Sequence, residues 1–191
     1  EYRLLLRQDN ADIRLTKKGY ELGLADSKRY KRLNTKIDQT ENLIKFLKKQ
    51  NIEPEKINKV LKEKKSAEVT QKRKLFSFLS RPHIKFDDLL ISKELRNYLK
   101  ESKISKDAIE QAEIIIKYGG YLEKEAEAAK KLSKLEDIKI PQDFNYQKLH
   151  SISTEGKEKL AEIKPRSIGQ ASRISGVSPS DVNILLIYMG R

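Results

Sequence analysis

The sequence predicts an all-α protein: a multi-helix domain with a long central helix, followed by a compact C-terminal helical subdomain. Three observations predict it. Apolar residues recur at alternating three- and four-residue spacing rather than every second position. Charged residues make up 36% and hydrophobic residues 37% of the 191, with few Gly and Pro and no Trp, a balance that suits charged helices better than a β-sandwich. Capping residues and prolines punctuate the periodic runs where helices should start and stop. Tyr2 to Leu6 is the one stretch that reads as a short strand, and no internal repeat is evident.

Taken in order, Tyr30, Leu33, Ile37, Thr40, Ile44 and Leu47 form one face of an amphipathic helix from Ser27 to Gln50, with Asp26 placed to cap it. Asn51 ends it, and Pro54 suits the first position of the next helix. Lys64, Lys65 and Ser66 read as a solvated loop. Lys72 to Leu79 reads as helix again, with Leu75, Phe76 and Leu79 inward and Arg81-Pro82 as its stop. Asp87 and Asp88 open a short helix carrying Leu89, Leu90 and Ile91, and Leu95 to Leu99 continues as another. Ser105 starts the longest helix, running to about Leu135. Its stripe is Ala108, Ala112, Ile115, Gly119, Leu122, Ala126 and Ala129, small enough to let a partner helix approach closely. Gly119 and Gly120 fall mid-helix, where each costs about 1 kcal/mol relative to Ala and a kink is expected.

Ile140-Pro141 ends the long helix, and a loop with Phe144 and Tyr146 follows. The domain boundary is placed there, giving a helical region at 1–145 and a C-terminal subdomain at 146–191. In that subdomain Thr154 caps a helix to Ile163, which Pro165 terminates. Ser167 begins another, and Gly176 closes it in a left-handed conformation. Ser178, Pro179 and Asp181 make the capping box of the last helix, whose buried stripe is Val182, Leu185, Leu186 and Met189.

The charge balance speaks to partners. The 41 Lys and Arg exceed the 28 Asp and Glu by 13, which favours polyanions, although a lysine-rich solvated surface explains the same number. Eleven basic and four acidic residues lie between Lys45 and Lys74, over half of the excess. There is no cysteine, so disulfides and thiolate metal sites are excluded. No run approaches the ~18 apolar residues of a membrane span, and no signal peptide opens the chain. Glu1 leads straight into an apolar run, as expected of a piece of a longer protein, and the absence of cysteine is compatible with the expected cytoplasmic location.

Chemistry of catalysis is missing. His83 and His150 are far apart in sequence and belong to no motif, Ser151 and Ser153 beside His150 do not make a nucleophilic constellation, and no clustered ligand set suggests a metal. The chain is therefore not expected to be an enzyme alone, with no catalytic residue and no metal. Two local signals point to binding. Lys117-Tyr118-Gly119-Gly120-Tyr121 puts tyrosines beside a lysine, able to stack bases and hold phosphate, or simply to pack. Ser167 to Ser178 reads as helix, glycine turn, helix, with Ala171 at the crossing and Val177 in the angle. That pattern is similar to a helix-turn-helix DNA reader. The following helix offers only Asn183 and no basic residue before Arg191 to read base edges, so a docking surface, with Ile184 and Ile187 adding apolar area, is the stronger reading.

Three stretches together resemble one family, the flavin-dependent tRNA wobble-uridine modification enzymes called MnmG or GidA. They are Glu1 to Asp12 with Arg14-Leu15-Thr16 and Gly23-Leu24; Ile116-Lys117-Tyr118 with Gly120-Tyr121 and Glu123; and Lys164-Pro165-Arg166 with Ile168 to Val177. Arg81-Pro82 and Ile140 to Tyr146 support them. Gly119 stands where the family has glutamate. The resemblance implies a C-terminal tRNA-binding and partner-docking region of an enzyme acting on position 34 of tRNA with the GTPase MnmE. It implies FAD in the parent but no cofactor in this chain, a parent homodimer, and no membrane. It places tRNA contact at Lys117, Tyr118 and Tyr121, with Lys72, Arg73 and Lys74 on phosphates. Gly169, Gln170, Ala171, Arg173 and Gly176 shape the docking unit. Arg7, Asp9, Asn10 and Asp12 face the flavin domain, which residues 1–25 join. A helix-turn-helix DNA-binding protein and a pure protein-interaction scaffold are the competing readings.

Overall fold

A computed structural model describes residues 2–190; the readings that fall on Glu1 and Arg191 lie outside the described residues. The described residues are mainly helical, as expected, and form two compact units, 1–123 and 124–191. The division falls inside the long helix, whereas the sequence reading draws its line at 145/146.

The first unit holds α1 (Ala11–Glu21), α2 (Ser27–Lys49), α3 (Pro54–Glu63), α4 (Leu75–Leu79), α5 (Lys93–Glu101) and the first half of α6 (Lys106–Asp137). Asp26 caps α2 as expected, its carboxylate accepting from the Arg29 N–H at 2.7 Å. Leu33, Thr40 and Leu47 of the anticipated stripe are buried, and Leu43 joins them. The core gathers Leu43 and Leu47 of α2, Ile57 and Leu61 of α3, and Leu75, Phe78 and Leu79 of α4, all fully buried. Phe78, not Phe76, is the inward aromatic of α4; Phe76 is half-buried and carries the Lys48 ammonium 5.1 Å from its ring centre.

Three expectations are corrected here. Tyr2 to Leu6 is a turn rather than a strand: the Leu5 and Leu6 N–H groups both donate to the Tyr2 carbonyl, at 3.0 and 2.8 Å. Among the described residues no strand pairs with it, so an extended run would leave its backbone unpaired. α1, unforeseen, follows directly; it buries only Thr16 and leaves Leu15 exposed. Finally, 73–74 is extended instead of helical. β1 (Asn51–Ile52) and β2 (Arg73–Lys74) pair antiparallel, Asn51 opposite Lys74 and Ile52 opposite Arg73. The Leu75 N–H donates to the Gln50 carbonyl at 2.9 Å, so α4 starts only after that crossing.

The loop between α3 and β2 is tied down. The Asn58 amide donates to the Val69 carbonyl at 2.9 Å and accepts from its N–H at 3.0 Å. The Arg81 guanidinium donates to Ser66 Oγ at 2.9 Å and to the Ala67 carbonyl. Val69 is buried at the centre of this tie.

α6 runs unbroken through Gly119 and Gly120. Its buried residues are Ala108, Gln111, Ala112 and Ile116; the four-residue repeat selects Ile116 in place of Ile115. The stripe expected beyond Gly119 is not buried: Ala126 is exposed, and a Cβ at either glycine would meet nothing within 4 Å. The close approach of a second helix there is not found among the described residues.

The second unit packs the last turns of α6 with α7 (Thr154–Ile163), α8 (Ile168–Ser172) and α9 (Pro179–Tyr188) around Leu149, Leu160, Ile168, Ala171 and Leu185. Leu135, Ile138 and Phe144 pack on this core. Ser153, one residue earlier than expected, caps α7. The capping box of α9 forms as read, Ser178 with Asp181. Asp181 does more than that: buried, it accepts from the N–H and Oγ of Ser178 at 2.8 Å each and from those of Ser153 at 2.9 and 3.0 Å. One carboxylate thus fixes the starts of two helices. A Cβ on Gly156 would lie 2.9 Å from that carboxylate and 2.7 Å from Ser153 Oγ, which leaves room only for glycine. Gly176 has φ +89°, the left-handed turn that its position called for. Leu186 and Met189 are only half-buried.

Candidate nucleic-acid interface

Residues 1–123 carry 29 basic and 19 acidic residues, a net of +10 out of the chain's +13. Within that unit Lys72, just before β2, and Arg73 and Lys74 of β2 are all exposed. They are not equivalent. Glu53 meets the Lys72 ammonium at 2.6 Å, and this hydrogen bond and charge raise the lysine's pKa while neutralising its field. Arg73 and Lys74 make no ion pair among the described residues. Lys48 and Lys49, the last residues of α2, end beside the same ladder through the Gln50–Leu75 backbone bond. Sequence reading counted these two in the charge run but did not single them out; only the pairing of β1 with β2 brings α2's end to the cations of β2.

Lys117, Tyr118 and Tyr121 lie on one stretch of α6. The Lys117 ammonium is drawn inward, 3.0 Å from Glu113, whose other oxygen accepts from the Phe86 N–H at 3.0 Å. Tyr118 and Tyr121 are 48% and 66% exposed.

Arg7, Asp9, Asn10 and Asp12 are brought together, but by each other and by α2. Arg7 grips Asp9 through two N–H···O contacts of 2.9 Å, which hold the carboxyl below its usual range. Asn10 Oδ1 accepts from the Arg7 N–H at 3.2 Å and from Arg14 at 2.9 Å. Asp12 pairs with Lys36 at 2.9 Å. Nearby, a cleft of about 540 Å³ between α1, α2 and the start of α6 gathers Lys28, Arg29, Arg32 and Lys36. Asp12, Asp26 and Asp107 face them, and Arg32–Asp107 closes at 2.9 Å, so most of that positive charge is already countered.

In the second unit Gly169 and Ala171 are buried and Gly176 makes a turn. A Cβ on Gly169 would strike Glu136, whose carboxylate is held below its usual range by Arg173 and then by Ser167. Gln170 accepts from the Arg166 N–H at 2.8 Å. These residues build α8 and its junctions; the large apolar side chains that the unit displays outward are Ile187, 71% exposed, Tyr188 and Ile163.

His83 and His150 are both exposed, and no group of three metal-ligating side chains is present among the described residues. Nor do these residues fit a flavin: Gly119 and Gly120 sit within a helix, and the only strands among the described residues are two residues long, so no strand leads through a glycine turn to a helix N-terminus. No helix among the described residues is long and apolar enough to cross a membrane.

Fold and surface together define an all-α module of two helical units, basic on the first. Both units are matched by family models: residues 27–126 by the tRNA modifying enzyme MnmG/GidA C-terminal helical domain, and residues 128–191 by the C-terminal helical bundle of the same enzyme. The chain belongs to the MnmG/GidA family, as part of its C-terminal helical region. It is 48% identical over 191 residues to the tRNA uridine 5-carboxymethylaminomethyl modification enzyme MnmG of Flavobacterium psychrophilum, covering all of this chain and 31% of that protein. It is 46% identical over 189 residues to the MnmG of Alkaliphilus metalliredigens, covering 99% and 29%. The form II crystal structure of Aquifex aeolicus GidA superposes with a TM-score of 0.61 at 33% identity, covering 100% of this chain and 28% of that one. The chain thus spans about a third of the length of the curated relatives it matches.

Proposed function

We propose that this chain is the tRNA-holding and partner-docking part of a cytoplasmic, FAD-dependent enzyme. The parent converts the wobble uridine at position 34 of tRNA to its 5-carboxymethylaminomethyl or aminomethyl form, working as a homodimer with the GTPase MnmE. The chemistry belongs to the flavin and to residues outside this chain; these residues grip the substrate. The observation that carries the reading is the pair Arg73 and Lys74: exposed, without an ion pair among the described residues, and set on a tied-down corner of the unit that holds most of the net charge. The names of the relatives, all tRNA modification enzymes, agree with it. Lys72, Lys117, Tyr118 and Tyr121 belong to the same tRNA-facing assignment. Arg7, Asp9, Asn10 and Asp12 remain assigned to the flavin-domain side. Gly169, Gln170, Ala171, Arg173 and Gly176 shape the unit that docks the GTPase, with Ile187 and Tyr188 as its exposed apolar contacts.

Two measurements of tRNA binding against salt test the phosphate contacts. Arg73→Ala with Lys74→Ala should flatten the slope of log affinity against log salt by about 1.4 to 1.8, at roughly 0.7–0.9 per lost phosphate contact. An unchanged slope would remove β2 from the interface. Glu53→Gln should act in the opposite direction. It releases Lys72, so affinity at low salt rises and the slope steepens by about 0.7–0.9. A weaker, flatter response in that variant would show that Lys72 needs its carboxylate.

A further inference from the structure

We infer that Tyr118 and Tyr121 form a platform for one unpaired nucleobase of the bound RNA. The inference rests on the RNA-holding reading of the first unit and specifies which part of the RNA this face takes.

The two tyrosines are three residues apart on α6, so they share a face one above the other. Exposure combined with the lack of a ring partner sets them apart from the stacked and buried aromatics of the unit; Tyr20, 43% exposed, is already stacked on Tyr30. Phe46 and Tyr98 stack at 4.1 Å, Tyr20 and Tyr30 stack at 4.7 Å, and Phe78 is fully buried. Tyr118 and Tyr121 are 48% and 66% exposed and enter no stacked pair among the described residues. The helix beside them is bare. A Cβ on Gly119 or Gly120 would find no atom within 4 Å, so these glycines serve no internal packing and the backbone beside the rings is open.

The adjoining charge is not free to take a phosphate. Glu113 holds the Lys117 ammonium at 3.0 Å and is itself anchored by the Phe86 N–H. The face is therefore aromatic in character, whereas β2 is cationic. Within a paired RNA stem every base face is covered by its neighbours, and only a loop, bulge or end nucleotide has a π-face to offer. An exposed tyrosine pair thus selects unpaired RNA, while Arg73 and Lys74 hold phosphates in any form. The net +10 of the unit, carried on elements other than α6, draws a polyanion toward it; residues 110–127 of α6 hold five acids and two lysines, so the contact here is made by the rings and not by local charge.

The test uses the full chain with two RNAs of equal length. One is a hairpin carrying 2-aminopurine at an unpaired loop position; the other is a duplex carrying it in the stem. Binding should quench the loop probe by stacking and leave the stem probe unchanged. The double variant Tyr118→Leu, Tyr121→Leu should lose the quench and weaken hairpin binding by roughly 5- to 150-fold, the range expected for a lost base–aromatic stack, with duplex affinity unaltered. The double variant to Phe should retain both. Circular dichroism checks that α6 persists, as it should for exposed positions. Equal weakening toward both RNAs would overturn the selection of an unpaired base, and an unaltered hairpin affinity in the Leu variant would overturn the platform altogether. If the unaltered chain binds neither RNA, the RNA-holding reading itself fails.

Discussion

Phe78→Ala is expected to cost about 4 kcal/mol of folding stability, within the range for truncating a buried aromatic. Phe78 is the largest fully buried side chain of the first unit and comes from α4, only five residues long. Leu75 and Leu79 on the same short helix are also fully buried, so this helix exists because of what it buries. Removing the ring leaves a cavity that the surrounding leucines can fill only in part. It also strips the Arg81 guanidinium of the aromatic face 5.1 Å from it, loosening its hold on Ser66 and Ala67. Against a total stability of roughly 5–15 kcal/mol for a typical domain, the loss is large. Urea denaturation followed by circular dichroism measures it. A loss under about 1.5 kcal/mol would mean that the core collapses around the gap more completely than this packing allows. Phe78→Leu, which keeps most of the volume, should cost far less.

Asp181→Ala should cost about 3 kcal/mol, because it orphans two backbone N–H groups and two hydroxyls at once. The carboxylate accepts four hydrogen bonds from Ser153 and Ser178 and so serves both α7 and α9. Asp181→Asn keeps an acceptor oxygen and should fall between. The same group sets an acid limit. Burial works to raise its pKa, but the hydrogen bonds from Ser153 and Ser178 outweigh that, and the net shift is downward from 3.8. The unfolded chain therefore binds this proton more readily than the folded one. The contribution is complete above the unfolded value and is lost as pH falls through the lower, folded one. Acid titration of the wild type should show a loss of stability below about pH 4 that the alanine variant lacks. Parallel acid profiles for the two proteins would remove Asp181 as the cause.

The parts of this architecture that were legible in the sequence are those with a local signature. Asp26, Pro54, Gly176 and the Ser178–Asp181 box each act within a few residues, and each does what its residue type requires. The stripe of α2 was legible because its period is regular. What stayed hidden depends on partners distant in the chain. The extended conformation of Arg73 and Lys74 is imposed by Asn51 and Ile52, and nothing near residue 73 announces it. The second role of Asp181 requires Ser153, 28 residues away. The same holds for the candidate site. Composition exposed the cationic run, but only the fold shows that Glu53 neutralises Lys72 and that Lys48 and Lys49 end beside β2; Glu113 and Lys117, four residues apart on α6, are by contrast a local pair that the sequence reading passed over.

The loop carrying this charge has a further consequence. Asn58 meets Val69 as a neighbouring strand would, offering one donor and one acceptor, and Arg81 fastens Ser66 and Ala67. A lysine-rich segment hanging free in solvent would have to surrender its conformational freedom each time a polyanion arrived, at roughly 1–2 kcal/mol per residue fixed. Here that freedom is given up once, when the chain folds, so a ligand meets cations already in position and encounter need not wait for the loop to order.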